Sequence, residues 1–156
     1  MRVERGRTFE LHVKEPTVLV VIRGIARVKA PNGLHAELGP CTMLYLPGGM
    51  KVQIEAPWED VEVRPMKSYD MGREPRLLYN GYAVKSPTGE AALCIHVTNE
   101  GTRVLMPAEA YIVAGKVLVK QNGSARILED GEKLEPHALL LPEGGRRATV
   151  LLLARP

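Results

Sequence analysis

Aromatic residues make up only 4% of the 156-residue chain, one Trp, one Phe and five Tyr scattered along it, so no stacking platform for single-stranded nucleic acid is encoded. Charge of one sign is scarce in the same sense. Lys+Arg number 21 against 18 Asp+Glu, a net charge of +3 spread over both halves, and direct binding to nucleic acid is not expected. Long hydrophobic runs are missing too. No stretch approaches the roughly 18 uninterrupted apolar residues of a membrane span, and the charged start at residues 1–7 has no apolar segment behind it. The reading is a cytoplasmic protein without a membrane partner.

Cysteine is limited to Cys41 and Cys94, with no C-x-x-C spacing, which excludes a zinc ribbon or a disulfide-dense scaffold. Both sit in apolar, strand-like contexts and are expected as buried thiols; a disulfide is the alternative, favoured by a hyperthermophilic source. Labile amides are few, four Asn and two Gln, a thermophile-like bias. Nucleophile and phosphate-cradle motifs are absent: Ser68, Ser86 and Ser124 lie outside any G-x-S-x-G, and the glycines form neither G-x-G-x-x-G nor a Walker loop. No catalytic residue and no cofactor is assigned.

What is present is β pattern. Period-2 alternation and β-branched runs predict strands near 9–13, 17–22, 25–29, 34–38, 43–46, 52–55 and 61–64, and again near 77–84, 91–98, 103–106, 111–120, 125–128, 138–141 and 148–153. No window carries an amphipathic helical stripe. Residues 17–22 form an apolar run that suits a strand covered on both faces. Asn32-Gly33 and Asn122-Gly123 read as hairpin turns, the first as type I′. Residues 67–76 are polar, contain Gly and Pro, and read as a linker between halves 1–66 and 77–156.

The halves resemble each other, residues 16–29 matching 107–120 and each followed by an Asn-Gly turn. Met43-Leu44-Tyr45-Leu46-Pro47-Gly48-Gly49 lines up with Ala138-Leu139-Leu140-Leu141-Pro142-Glu143-Gly144-Gly145. The order is apolar strand, Gly, alternating strand, Asn-Gly turn, short strand, apolar strand ending in Pro-x-Gly, strand. In this order the chain resembles the cupin superfamily, whose motifs are G-x5-H-x-H-x3/4-E-x6-G and G-x5-P-x-G-x2-H-x3-N. Gly24 and Gly115 look like closing glycines of the first motif, and Pro47-Gly48-Gly49 and Pro142-Glu143-Gly144 like the Pro-x-Gly of the second. The resemblance implies an all-β chain of two small cupin-like jelly-roll halves related by an internal repeat, and a homo-oligomer.

The resemblance also implies where metal ligands belong, three His and one Glu for Fe, Mn, Ni or Zn. Counting from Gly24 and Pro47 puts Glu10 and His12 at the two His positions, Thr17 at the Glu position and Val52 at the last His position. Only Glu10 and His12, on one face of a strand, remain metal candidates. In the second half Arg103 stands at a His position, Ala108 at the Glu position and Arg147 at the final His position. Arginine stays protonated and cannot ligate, but two guanidinium groups suit a carboxylate or phosphate. The expected function is a non-catalytic, metal-free binding or assembly protein holding a small anionic ligand through Arg103 and Arg147. The alternatives are a metal-dependent cupin-like isomerase or dioxygenase acting on a small acid or sugar derivative, and a structural accessory of a ribonucleoprotein complex.

Overall fold

The computed structural model describes residues 1–78 and 83–155. Its strands are β1 (Arg2–Val3), β2 (Thr8–His12), β3 (Thr17–Arg23), β4 (Ala26–Lys29), β5 (His35–Leu38), β6 (Met43–Leu46), β7 (Lys51–Glu55), β8 (Val61–Lys67), β9 (Arg76–Leu78), β10 (Ala83–Lys85), β11 (Ala91–Val97), β12 (Thr102–Arg103), β13 (Ala108–Ala114), β14 (Val117–Gln121), β15 (Ser124–Ile127), β16 (Glu132–Leu134), β17 (Leu139–Pro142) and β18 (Ala148–Ala154). Among the described residues the only helical element is the 3₁₀ turn Glu143–Gly145. Among these residues no helix is long and apolar enough to cross a membrane.

The chain groups into two compact units, Met1–Thr88 and Gly89–Pro156. The division therefore falls after the stretch 67–76, because Arg76–Leu78 forms β9 and pairs with β6 in the first unit. The expected strand 77–84 lies partly on residues 79–82, outside the described residues. In the first unit β1-β8-β3-β6-β9 form one antiparallel sheet and β2-β7-β4-β5 another. In the second, β11-β18-β13-β16 and β12-β17-β14-β15 lie in the same orders. Each unit buries an aliphatic core between its sheets. Leu19, Val21, Leu44, Val61 and Val63 meet Val13, Val28, Leu38, Val52 and Ile54 in the first. Ala110, Leu134, Val150 and Leu152 meet Val104, Val117, Val119 and Leu140 in the second.

Local rules explain most element boundaries. Along β7, Val52 and Ile54 are buried while Lys51 and Gln53 are exposed, the alternation of a sheet wet on one side. Every side chain from Val18 to Ile22 is buried, so β3 is covered on both faces as its unbroken apolar run requires. Run 111–120 breaks at Gly115, whose φ of 79° ends β13, and Gly24 at 77° does the same after β3. A Cβ at Gly24 would lie 2.5 Å from the Asp60 carbonyl oxygen, and one at Gly115 2.7 Å from that of Arg147. Both turns thus require glycine for its conformation and for its lack of a side chain. The resemblance had singled out these same two glycines.

One of the two Asn-Gly turns differs from the sequence expectation. Asn122 and Gly123 have φ of 53° and 77°, as a type I′ turn demands, but Asn32 is not left-handed and Gly33 alone reaches 95°. Pro31 is the reason. It presets a type I turn in which the Gly33 N–H donates to the Ala30 carbonyl at 3.1 Å, and the Ala30 N–H to the Leu34 carbonyl at 3.0 Å.

Candidate functional site

Glu10 and His12 lie on the outward face of β2, both exposed, while Leu11 between them packs towards the core. Their cross-strand partners are Gln53 and Lys51. An ammonium directly opposite His12 is a repulsive neighbour for a divalent cation. Thr17 donates its hydroxyl to the Glu15 carbonyl at 2.8 Å, and Val52 is a core residue. The cupin ligand positions are therefore taken by an aliphatic side chain, a committed hydroxyl and two outward groups. This donor set does not fit a metal inside the barrel. Among the described residues no group of three or more His, Cys, Asp or Glu is placed to hold a metal ion.

In the second unit the register of the repeat needs correction. Residues 43–46 form β6 against β3, whereas residues 139–142 form β17 between β12 and β14. The counterpart of β6 is β16, which pairs with β13, so β17 corresponds to β7. Matching hydrogen bonds confirm the shift. The Val13 N–H donates to the Met50 carbonyl and the Gly49 N–H to that of Val13; the Val104 N–H donates to the Ala138 carbonyl and the His137 N–H to that of Val104. Leu140, buried in the second core, thus occupies the place of Val52. Arg147 does not. It sits in the loop before β18, where the first unit has Asp60 before β8.

Arg103 and Arg147 line separate grooves. Arg147 shares one of about 440 Å³ with His96, Thr98, Asn99, Pro142 and Gly145. There the His96 Nδ1 meets the Thr149 hydroxyl at 3.0 Å, as a strand histidine with a satisfied ring should. Arg103 lines a groove of about 520 Å³ together with Lys120, His137, Leu139 and the turn 121–125. The two grooves touch β17 at its opposite ends, Leu139 and Pro142, three residues apart or about 10 Å along the strand. The two guanidinium groups therefore line different grooves of the second unit.

Lys120 and His137, which sequence reasoning passed over, are brought to Arg103 by pairing. Leu139 is the cross-strand partner of both Arg103 and Lys120, so the two cations rise from the same face on either side of it. The Arg103 Nη1 donates to the His137 carbonyl at 2.9 Å. His137 is left-handed, φ 73°, where the corresponding residue of the first unit is Gly49 at 90°. The signal that could have found this cluster is the corrected repeat, which sets His137 against a glycine.

Cys41 and Cys94 are buried, as expected, but both are disulfide-bonded rather than free thiols. In the first unit the Asp60 carboxyl is held below the usual carboxylate range by the Arg5 backbone N–H it accepts and by the Arg2 guanidinium at 2.5 Å.

The architecture is that of the cupin barrels. A cupin 2 conserved barrel domain protein from Leptotrichia buccalis superposes with a TM-score of 0.59 at 11% identity, covering 99% of this chain and 81% of that one. The protein Ylba from Escherichia coli gives 0.56 at 16%, covering 99% and 74%. A structure of oxalate decarboxylase gives 0.53 at 15%, covering 99% and 67%. These likenesses establish the fold. No protein-family model matches the chain, and no curated protein matches it by sequence.

Proposed function

We propose that this chain is a non-catalytic, metal-free binding or assembly protein on a cupin scaffold, holding a small anionic ligand in its second unit. The observation that carries the reading is the filling of both barrel interiors. Where a cupin metal centre needs imidazole and carboxylate, this chain supplies Val52 and Leu140, each packed into an aliphatic core. Arg103 and Arg147 supply one cation to each of two grooves in the second unit, and unlike metal ligands they stay charged. Homo-oligomer formation belongs to the same reading, supported by the half-buried Leu118 and Leu141 on the outward face of their sheet. A cytoplasmic setting is compatible with disulfide-bonded cysteines in a hyperthermophile, which the scarcity of Asn and Gln also favours.

A metal-dependent enzyme is the second reading, favoured by a solved neighbour of this fold, the bacterial pirin YhhW from Escherichia coli, in complex with nickel(II). Elemental analysis separates the two. Protein purified without chelator, then incubated with Fe, Mn, Ni or Zn and desalted, is expected to carry far less than one metal per chain. One equivalent of bound metal that is lost in a His12→Ala variant would overturn the metal-free reading.

A further inference from the structure

Within the second unit, and resting on the anion-binding reading above, we infer that the ligand is an organic anion whose carboxylate or phosphate head is held by Arg103, Lys120 and His137. Its apolar body lies on Leu139, Ala125 and Pro136. Four observations converge on this groove rather than the one at Arg147.

The first is charge. The groove is lined by two cations of fixed charge and a histidine, with no carboxylate among the described residues of its wall. The Lys120 ammonium has no hydrogen-bond or ion-pair partner among the described residues, and the Arg103 guanidinium spends one N–H on a neutral carbonyl. Like charges on strands flanking a shared partner repel each other, which a bound anion relieves. By contrast, the first unit pairs two cations of its outward face with its own carboxylates. On the matching face Arg27 meets Glu37 at 3.1 Å, Lys29 meets Glu55 at 3.4 Å, and even the groove beside His12 contains Glu15 facing Lys67 at 3.5 Å.

The second observation is backbone conformation. At the place where the first unit uses Gly49, this unit holds a histidine left-handed, at a conformational cost that glycine would not carry. Arg103 donates to that residue's carbonyl, which holds the guanidinium beside the His137 backbone. Third, the groove wall is preorganised. The Gln121 side-chain oxygen accepts the Glu135 N–H at 3.3 Å and its carbonyl accepts the Ser124 hydroxyl at 2.9 Å, tying the Asn122-Gly123 turn to the segment that carries His137. Fourth, the floor between the cations is Leu139, an apolar surface that suits a hydrocarbon or aromatic body but adds nothing for a bare inorganic ion.

The test is calorimetric titration of the full chain at low ionic strength with inorganic phosphate, phenyl phosphate and benzoate. Saturable binding of phenyl phosphate or benzoate is expected, with inorganic phosphate weaker, and whichever binds identifies the head group. Lys120→Gln, which removes no internal contact, is expected to weaken binding about tenfold, and Arg103→Gln at least as much. His137→Gly is expected to keep or raise the Tm while weakening binding, whereas Arg147→Gln leaves binding unchanged. No saturable binding of any probe overturns the site. Binding that survives Lys120→Gln and Arg103→Gln but disappears in Arg147→Gln also overturns it, and leaves the anion-binding reading standing with the other groove as its seat. Failure of the metal-free reading is seen separately, in the elemental analysis.

Discussion

The outward faces of β2-β7-β4-β5 and β12-β17-β14-β15 occupy the same place in the two units, yet their chemistry is opposite. The first is a lattice of Arg27, Lys29, Glu37 and Glu55, closed by Trp58, whose ring centroid is 5.3 Å from the Arg27 guanidinium carbon. The second presents Leu118, Leu139 and Leu141 with Ile127, 44% exposed, and among the described residues its cations Arg103 and Lys120 have no carboxylate partners. Strand order is set by what lies between the sheets, and both units satisfy it with aliphatic residues. The outer face is free of that constraint. One unit has used the freedom to neutralise itself, and the other to leave charge and apolar surface available.

The largest effects should fall where the units agree. Ile54→Ala and Leu140→Ala each delete a fully buried side chain and are expected to lower stability by about 2–5 kcal/mol, read by denaturant unfolding. A cost under about 1 kcal/mol at Leu140 alone would mean that the second interior tolerates space, and the comparison of two equally filled barrels would fail. Next come the glycine turns. Gly24→Ala and Gly115→Ala place a methyl against a backbone oxygen at positive φ, and each is expected to lose at least about 1–3 kcal/mol. Equal Tm losses would support one shared turn geometry; a benign Gly115→Ala would break the equivalence.

That equivalence shows what was legible in the sequence and what was not. Glycines at 24 and 115, the alternation of residues 52–55 and the unbroken run 17–22 are local signals, each imposed by backbone sterics or by which faces are covered, and the structure follows them. The register after the Asn-Gly turns was not local. β16 is Glu-Lys-Leu, with a single buried side chain, so its strand character comes from pairing with β13 rather than from composition. Missing it slid 138–141 onto 43–46 and moved Arg147 into a ligand position that Leu140 fills. Lys120 and His137 escaped notice for the same reason: only strand pairing brings them beside Arg103.

A smaller effect probes the faces themselves. Glu55→Gln removes the carboxylate shared by Arg27 and Lys29, and about 0.5–1 kcal/mol should be lost, less at high salt. Ala125 lies directly opposite Lys120, so Ala125→Glu supplies the second unit with the partner it lacks. A gain of about 0.2–1 kcal/mol is expected from the cross-strand pair. Together the variants would make the two faces alike, one by removing a carboxylate and one by adding it. If Ala125→Glu destabilises the fold instead, Lys120 is not an uncompensated charge and the contrast between the faces is overstated.

The finest difference lies in the loops before β8 and β18, where Asp60 and Arg147 stand in corresponding places with opposite charge. Asp60 is fully engaged, accepting the Arg5 N–H at 2.8 Å and the Arg2 guanidinium, and its carboxyl is held below the ordinary range near pH 4. A depressed acid contributes stability that is present above its unfolded pKa and disappears as pH falls through its folded one. Between those two values the folded chain binds fewer protons than the unfolded chain, so stability rises with pH there. Asp60→Asn should therefore lower the neutral plateau slightly, the group being exposed and screened, and flatten the acid limb of the Tm-against-pH curve by the same small amount. Arg147→Gln should leave the acid limb untouched, since a guanidinium does not titrate in that range. An acid limb that is unchanged in Asp60→Asn would mean that the Arg2 and Arg5 contacts do not persist in solution, and that this loop, like its counterpart, carries an unanswered charge.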